Sequence, residues 1–280
     1  MDQDLLVDLE KINNITLNSD AFEFLMRNEA EELKNKLRKQ MVQAISHYEM
    51  IAEGDRIMVA VSGGKDSSIL LLLLEDIRRR SEINFSLHPV MLDQRQPGFS
   101  ASEFLNWFGS LGLPIDLIAE DTYSIVKEKT LPGKSYCGLC SRLRRGILYN
   151  YAVEKGYHKI ALGHHADDSV ETLFLNMFYN GRMAAMPAKL KSDDKRNQVI
   201  RPLIFLREKS IQELASSLQI PVMPCNLCSN QERMQRQEIK KLLNNIESSN
   251  PLIPNNILAA LKNIKPSQLL DKELFDFTKL

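Results

Sequence analysis

Val61-Ser-Gly-Gly-Lys-Asp-Ser-Ser68 stands between two apolar runs, Ile57 to Val61 before it and Ile69 to Leu74 after it. A buried strand and a buried helix with so polar a tip between them form one unit of a parallel α/β sheet. Glycines let the backbone take positive φ and let a ligand approach closely. Successive N–H groups at such a turn make an anion nest, reinforced by the helix dipole. Ser62 and Ser67 add hydroxyl donors and Lys65 adds a charge. Asp66 would repel a bare phosphate but suits one accompanied by Mg2+. Ser62, Gly63, Gly64, Lys65, Asp66 and Ser67 are therefore read as a polyphosphate-binding loop. The spacing is neither GxxxxGK[ST] nor GxGxxG. A plain strand-to-helix turn is the simpler reading, yet such a turn has no need of Lys-Asp beside Gly-Gly.

Outward from this loop, short apolar runs alternate with helical patterns. Residues 20 to 51 carry apolar positions at three- and four-residue spacing and predict a helix. Strands are expected at Ile57 to Val61, Leu87 to Leu92, Ile115 to Ala119, Lys159 to Leu162 and Val199 to Phe205. Helices are expected near Ser67 to Arg80, Ser102 to Leu111, Ser141 to Lys155, Ser169 to Tyr179, Glu208 to Leu218 and Gln231 to Asn244. The strands are continuous apolar runs, as strands buried on both faces should be. The expected fold is a doubly wound parallel α/β sheet with an N-terminal helical segment (1–52), a catalytic domain (53–246) and a C-terminal tail (247–280) packed on the core.

In such sheets ligands bind at the carboxyl ends of the strands, where strand order reverses. A second polar tip, Gly163-His-His-Ala-Asp-Asp168, also directly follows a strand, so the two tips are candidates for one crevice. Asp167 and Asp168 suit helix capping, which can coexist with function. Neither His164 nor His165 is assigned to catalysis.

The 280 residues hold 36 basic and 36 acidic side chains, so overall charge points to no partner. The longest apolar run is far short of the roughly 20 residues that span a bilayer. A soluble, cytoplasmic protein without a membrane partner is the expectation. All four cysteines lie in two CxxC pairs, Cys137/Cys140 and Cys225/Cys228. Such pairs hold structural zinc, an iron–sulfur cluster, or redox chemistry, and spacing alone does not choose among them.

The surroundings of these motifs are more specific. SGGKDS after a strand resembles the pyrophosphate loop of the ATP pyrophosphatase (PP-loop) superfamily, and the Gly163 tip resembles its second signature. YCGLCSRLRRGILY, ALGHHADDSVETLFLNMFYNGRM, PCNLCSNQERMQRQEIKKLL, DQRQPGF (Asp93 to Phe99), VIRPLIFLREK and PSQLLDKELFDF together are similar to the tRNA 2-thiocytidine synthetase family. The resemblance runs from about Asp20 to Phe277. It implies ATP- and Mg2+-dependent thiolation of cytidine 32 in tRNA through an adenylated base. Catalytic roles would fall to Lys65, Asp66 and Asp168. It further implies a [4Fe-4S] cluster on Cys137, Cys140 and Cys225, with Cys228 as a spare. A sulfur donor such as a cysteine desulfurase and a homodimer belong to the same expectation.

The rival readings are another PP-loop tRNA modifier with zinc in the knuckles, such as a lysidine synthetase, or a nucleotide-binding iron–sulfur sensor. Arg142, Arg144 and Arg145 are candidate RNA phosphate contacts, with Arg233, Arg236, Lys240 and Lys241 a second set. Arg201 is a candidate contact to a phosphate of ATP. Phe104, Trp107 and Phe108 read as core, as does the region of Met177 and Phe178.

Overall fold

A computed structural model describes residues 21–26, 30–129, 137–223 and 231–279, without the side chains of 137 and 231–233. These residues form two compact units. One holds residues up to 166 together with 187–233; the other holds 167–186 together with the chain from 234 onward.

The first unit is built on a six-stranded sheet. Its strands are β1 (Arg56–Val61), β2 (Ser86–Asp93), β3 (Asp116–Ala119), β4 (Lys159–Ala161), β5 (Lys189–Lys191) and β6 (Gln198–Ile200). The order is β3-β2-β1-β4-β6-β5, and every pairing is parallel except β5 with β6. The helices, in chain order, are α1 (Glu31–His47) before β1, α2 (Lys65–Arg80), α3 (Ser102–Ser110), α4 (Thr122–Lys129) and α5 (Cys137–Glu154) between β1 and β4, α6 (Ala166–Asn180), which belongs to the second unit from Asp167, and α7 (Glu208–Ser217) after β6. The chain turns outward from β1 to β2 and β3, then returns to the other side of β1 with β4. Strand order therefore reverses between β1 and β4, the position at which open α/β sheets bind their ligands.

β1 is buried from Ile57 to Val61, and α2 is buried from Ser67 to Asp76. A helix apolar nearly all round must be covered on several sides. Here β1, β2, α1 and α7 pack on α2. Leu37, Met41 and Ala44 of α1 join the same core as Val59, Leu70 and Ile211. Phe104 and Phe108 are buried in it, with Trp107 packed at its margin. At the far end of α2, buried Glu75 holds Arg78 and Arg79, and buried Asp76 holds Arg38 and Arg80. The burial of two carboxylates is thus matched by bound guanidinium groups.

In the second unit, α6 carries Asp167 onward and α8 (Gln231–Ser249) carries Met234 onward. Tyr179 on α6 donates to Glu238 on α8 at 3.3 Å. A short helix, α9 (Ile253–Ala260), and two 3-10 turns follow.

Several expected elements differ. The helix over 20 to 51 is interrupted: Ala30 takes φ 46° at the entrance to α1, and Glu49 takes φ 46° just beyond its end. Alanine carries no turn signal, so pattern alone runs through it. The strand from Val199 stops at Ile200, because Pro202 has no N–H to extend the ladder; the chain turns instead through Ile204 N–H to Arg201 O at 3.1 Å. α5 begins at Cys137 rather than Ser141, and α8 reaches Ser249 rather than Asn244. α4 and β5 were not expected. Met177 and Phe178 are not core: the buried stripe Val170–Leu173 stops a turn short of them, and Phe178 is 53% exposed.

Candidate active site

The loop after β1 is braced by one hydroxyl. Ser67 Oγ accepts from the Ser62 N–H at 3.0 Å and donates to Gly64 O at 3.0 Å. This joins the end of the strand to the start of the helix. Ser62 Oγ lies 3.1 Å from the same oxygen, and Ser68 Oγ donates to Gly64 O at 3.0 Å. Gly63 takes φ +82°, a conformation that side chains rarely adopt. Its carbonyl accepts the Met223 N–H at 2.9 Å, and a Cβ there would sit 2.6 Å from Met223 Sδ. The first-turn N–H groups of α2 have no intrahelical acceptors and concentrate the positive end of the helix dipole.

Lys65 opens α2 beside this turn. Its Nζ lies 3.1 Å from Asp66 Oδ1 and 3.1 Å from Glu208 Oε1, with the side chain 20% exposed. Burial pulls the ammonium pKa down, but the charges of and hydrogen bonds to Asp66 and Glu208 outweigh it and hold Lys65 above its ordinary value. Lys65 is therefore a permanent cation at neutral pH. Glu208, in the first turn of α7, was missed by sequence reasoning. Its only signal was the REK at the end of VIRPLIFLREK.

The tip after β4 closes on the same turn. A Cβ on Gly163 would meet Ser67 N at 3.0 Å and Asp66 C at 3.1 Å, so only glycine lets the two loops touch. Buried His165 brings Nε2 to 3.8 Å from Asp66 Oδ1. That oxygen is itself buried and accepts no hydrogen bond, although Lys65 Nζ attracts it. Ala166 N–H bonds to Leu206 O at 2.9 Å and fixes the tip from α7's side. The two polar tips thus meet at the reversal of strand order. A nest of amides, hydroxyls and one fixed ammonium fits a polyphosphate. The orphaned Asp66 oxygen fits its divalent counter-ion.

A third corner sits at the end of β2. Gln94 Nε2 donates to Thr122 Oγ1 at 2.8 Å and to Cys140 Sγ at 3.3 Å. Cys140 lies in the first turn of α5, and a sulfur receiving N–H donors suits a metal-bound thiolate. The Cys137 side chain, Cys225 and Cys228 lie outside the described residues.

A family model described as a PP-loop domain matches residues 30–246. The tRNA-cytidine(32) 2-sulfurtransferase of Bdellovibrio bacteriovorus is 55% identical over 245 residues, covering 88% of this chain and 94% of that relative. The protein of the same name from Alcanivorax borkumensis is 50% identical over 262 residues, covering 94% and 92%. The chain belongs to the tRNA-cytidine(32) 2-sulfurtransferase family. Its sheet is of the PP-loop type. The solved structure of the U34-tRNA thiolase NcsA from Methanococcus maripaludis with its [4Fe-4S] cluster superposes with a TM-score of 0.62 at 21% identity, covering 84% of this chain and 80% of that one. At that identity the likeness is one of fold.

The remaining candidate residues of this family member divide by environment. Arg142 and Arg145 are exposed on α5, whereas Arg144 is half-buried. Arg201 donates to Pro187 O at 2.6 Å. In the second unit, Asp168 lies in the first turn of α6, 3.5 Å from Arg236 Nη1, and Glu171 lies 3.8 Å from Arg236 Nε. Arg236 is thus engaged by carboxylates. Among the described residues, no helix is long and apolar enough to cross a membrane.

Proposed function

We propose that this protein is an ATP-dependent tRNA sulfurtransferase that converts cytidine 32 to 2-thiocytidine through an adenylated base. The observation that carries this reading is the closure of the Gly163 tip on the Ser62–Ser67 nest, in a chain 55% identical to a relative of that name.

The C2 oxygen of cytosine belongs to a urea-like carbonyl and leaves poorly. Transfer of AMP from ATP to that oxygen makes it a good leaving group and releases pyrophosphate. Lys65 and the loop amides would take up charge developing on the departing pyrophosphate. Ser67 keeps those amides aimed, because its hydroxyl fixes both ends of the turn. Asp66 would hold Mg2+ on the phosphates through the oxygen left without a hydrogen bond. Asp168 is proposed as a further catalytic carboxylate. Sulfide then adds at C2, and AMP departs with the original oxygen. Cys137, Cys140 and Cys225 would hold a [4Fe-4S] cluster, which when bound supplies an iron with an open position to present that sulfur. The proposal includes a cysteine desulfurase as sulfur source, with a thiol reductant supplying the two electrons that take its persulfide sulfur to sulfide, homodimeric assembly and a cytoplasmic setting.

Air-free purification followed by a pyrophosphate assay tests the reading. The expected protein is brown, contains iron and acid-labile sulfide, and releases pyrophosphate only when ATP and tRNA are both present. Colourless protein holding zinc and still fully active would overturn the cluster. ATP binding without tRNA-dependent pyrophosphate release would overturn the enzyme.

A further inference from the structure

The Asp93–Phe99 motif contains a buried amide with both N–H groups committed. Gln94 is 8% exposed and follows β2 directly. Its carbonyl accepts the Tyr123 N–H at 3.2 Å, which fixes the backbone to the start of α4. One side-chain N–H goes to Thr122 Oγ1, and Thr122 is 2% exposed. The other goes to Cys140 Sγ, 46 positions away in the chain. Asp93 supports this corner: its backbone O accepts the Glu120 N–H at 2.9 Å and its Oδ1 accepts the Arg95 N–H at 2.7 Å.

We propose that Gln94 is a positioning residue for the metal centre, its side-chain amide donating to the Cys140 thiolate and holding that ligand in place. The inference rests on the cluster reading above. A metal-bound thiolate has no proton to give, so it can only accept. The amide must then present nitrogen to Cys140, and Thr122, whose hydroxyl can accept, takes the second N–H. An N–H aimed at sulfur draws electron density from the ligand, which favours the reduced cluster and raises its potential. The same bond resists departure of the thiolate from iron. A glutamine is the side chain for the task, because glutamate would offer sulfur a second negative charge.

The test uses the full-length protein, reconstituted without air with iron and sulfide. Gln94→Leu keeps the volume and removes both donors; Gln94→Glu keeps the shape and reverses the charge. Each variant is compared with wild type by melting temperature, iron and sulfide content, cluster midpoint potential and the rate of iron loss to a chelator. The expected result for Gln94→Leu is a native-like melt, a more negative potential and about tenfold faster iron loss; Gln94→Glu should be worse on both measures. Wild-type potential and iron retention in a folded Gln94→Leu protein would overturn the inference. If neither variant folds, proton hyperfine spectra of the reduced wild-type cluster in H2O and D2O decide: an exchangeable proton coupled to the cluster supports it, and none overturns it. Wild-type protein that takes up no iron at all would instead sink the cluster reading, so the two failures are distinguishable.

Discussion

The two loops that meet in the crevice are held in opposite ways. The turn after β1 is braced mainly from within, by Ser62, Gly64 and Ser67 bonding to one another across at most five positions. The tip after β4 is braced from outside, by Leu206 on its backbone and by the Ser67 backbone against Gly163. A self-braced loop keeps its shape while a ligand enters. An externally braced one depends on the whole sheet being assembled. The anion nest is therefore placed on the rigid side of the cleft, where donors need not reorganise as charge develops.

The largest expected effect comes from emptying the rigid side of its charge. Lys65→Ala should lower tRNA-dependent pyrophosphate release by roughly 10²–10³, or about 2.7–4 kcal/mol, in a protein that still folds. Wild-type turnover in this variant would remove the lysine from the chemistry. Gly163→Ala attacks the other loop. Its Cβ would press on the Ser67 and Asp66 backbone, which cannot swing aside as a flexible side chain could. Destabilisation of about 1–3 kcal/mol in denaturant melts is expected, with activity falling alongside. An unperturbed protein would mean that the loops are not in contact. Ser67→Ala should cost about 0.5–1.5 kcal/mol for each hydrogen bond lost, and raise the KM for ATP as the internal brace loosens. If KM stays constant, the turn does not rely on its own hydroxyl.

How much of this could be read beforehand follows from the same contrast. The Val61–Ser68 turn was legible because its bonds are local and its residue types have few other uses. The doubly wound parallel sheet could be expected, because apolar runs alternate with helices; the order of its strands was not read from the sequence. Glu208 was not legible as a partner of Lys65, since 143 positions separate them. Nor was Gln94 beside Cys140, a contact that exists only once β2 and α5 are in place. β5 escaped notice for a different reason: three residues are too few to display a period of two. The exposed end of α6 misled because Met177 continues the spacing of Val170 and Leu173 beyond the point where burial stops.

Two smaller effects lie outside the crevice and sharpen the contrast as controls. Replacing exposed Arg142 and Arg145 by alanine should weaken tRNA binding and reduce its salt slope by about one unit per side chain, leaving ATP affinity unchanged. An unaltered slope would leave them as solvated surface charge. Asp194, in the loop between β5 and β6, is another locally braced group. Ser192 Oγ donates to it first, then the Arg196 N–H and guanidinium, and its pKa falls from the ordinary 3.8 to about 2. A depressed carboxylate contributes stability above its unfolded value and loses it as pH falls through the folded one. The window is thus pH 3.8 down to about 2. A carboxyl chemical-shift titration should place the midpoint at about 2, and a midpoint at the ordinary 3.8 would show that the brace is absent in solution.

The antiparallel turn-back at the sheet's margin carries a consequence for solubility. β5 reads Lys189-Leu190-Lys191, and Lys189 Nζ donates to Glu49 O at 2.6 Å. A neighbouring molecule that tried to lengthen the sheet here would meet the exposed Lys191, while Lys189 stays tied to the end of α1. Lysines on an edge strand discourage such stacking. A three-residue ribbon too short to be noticed in the sequence thus leaves the sheet with a short, charged margin, of the kind that disfavours edge-to-edge pairing.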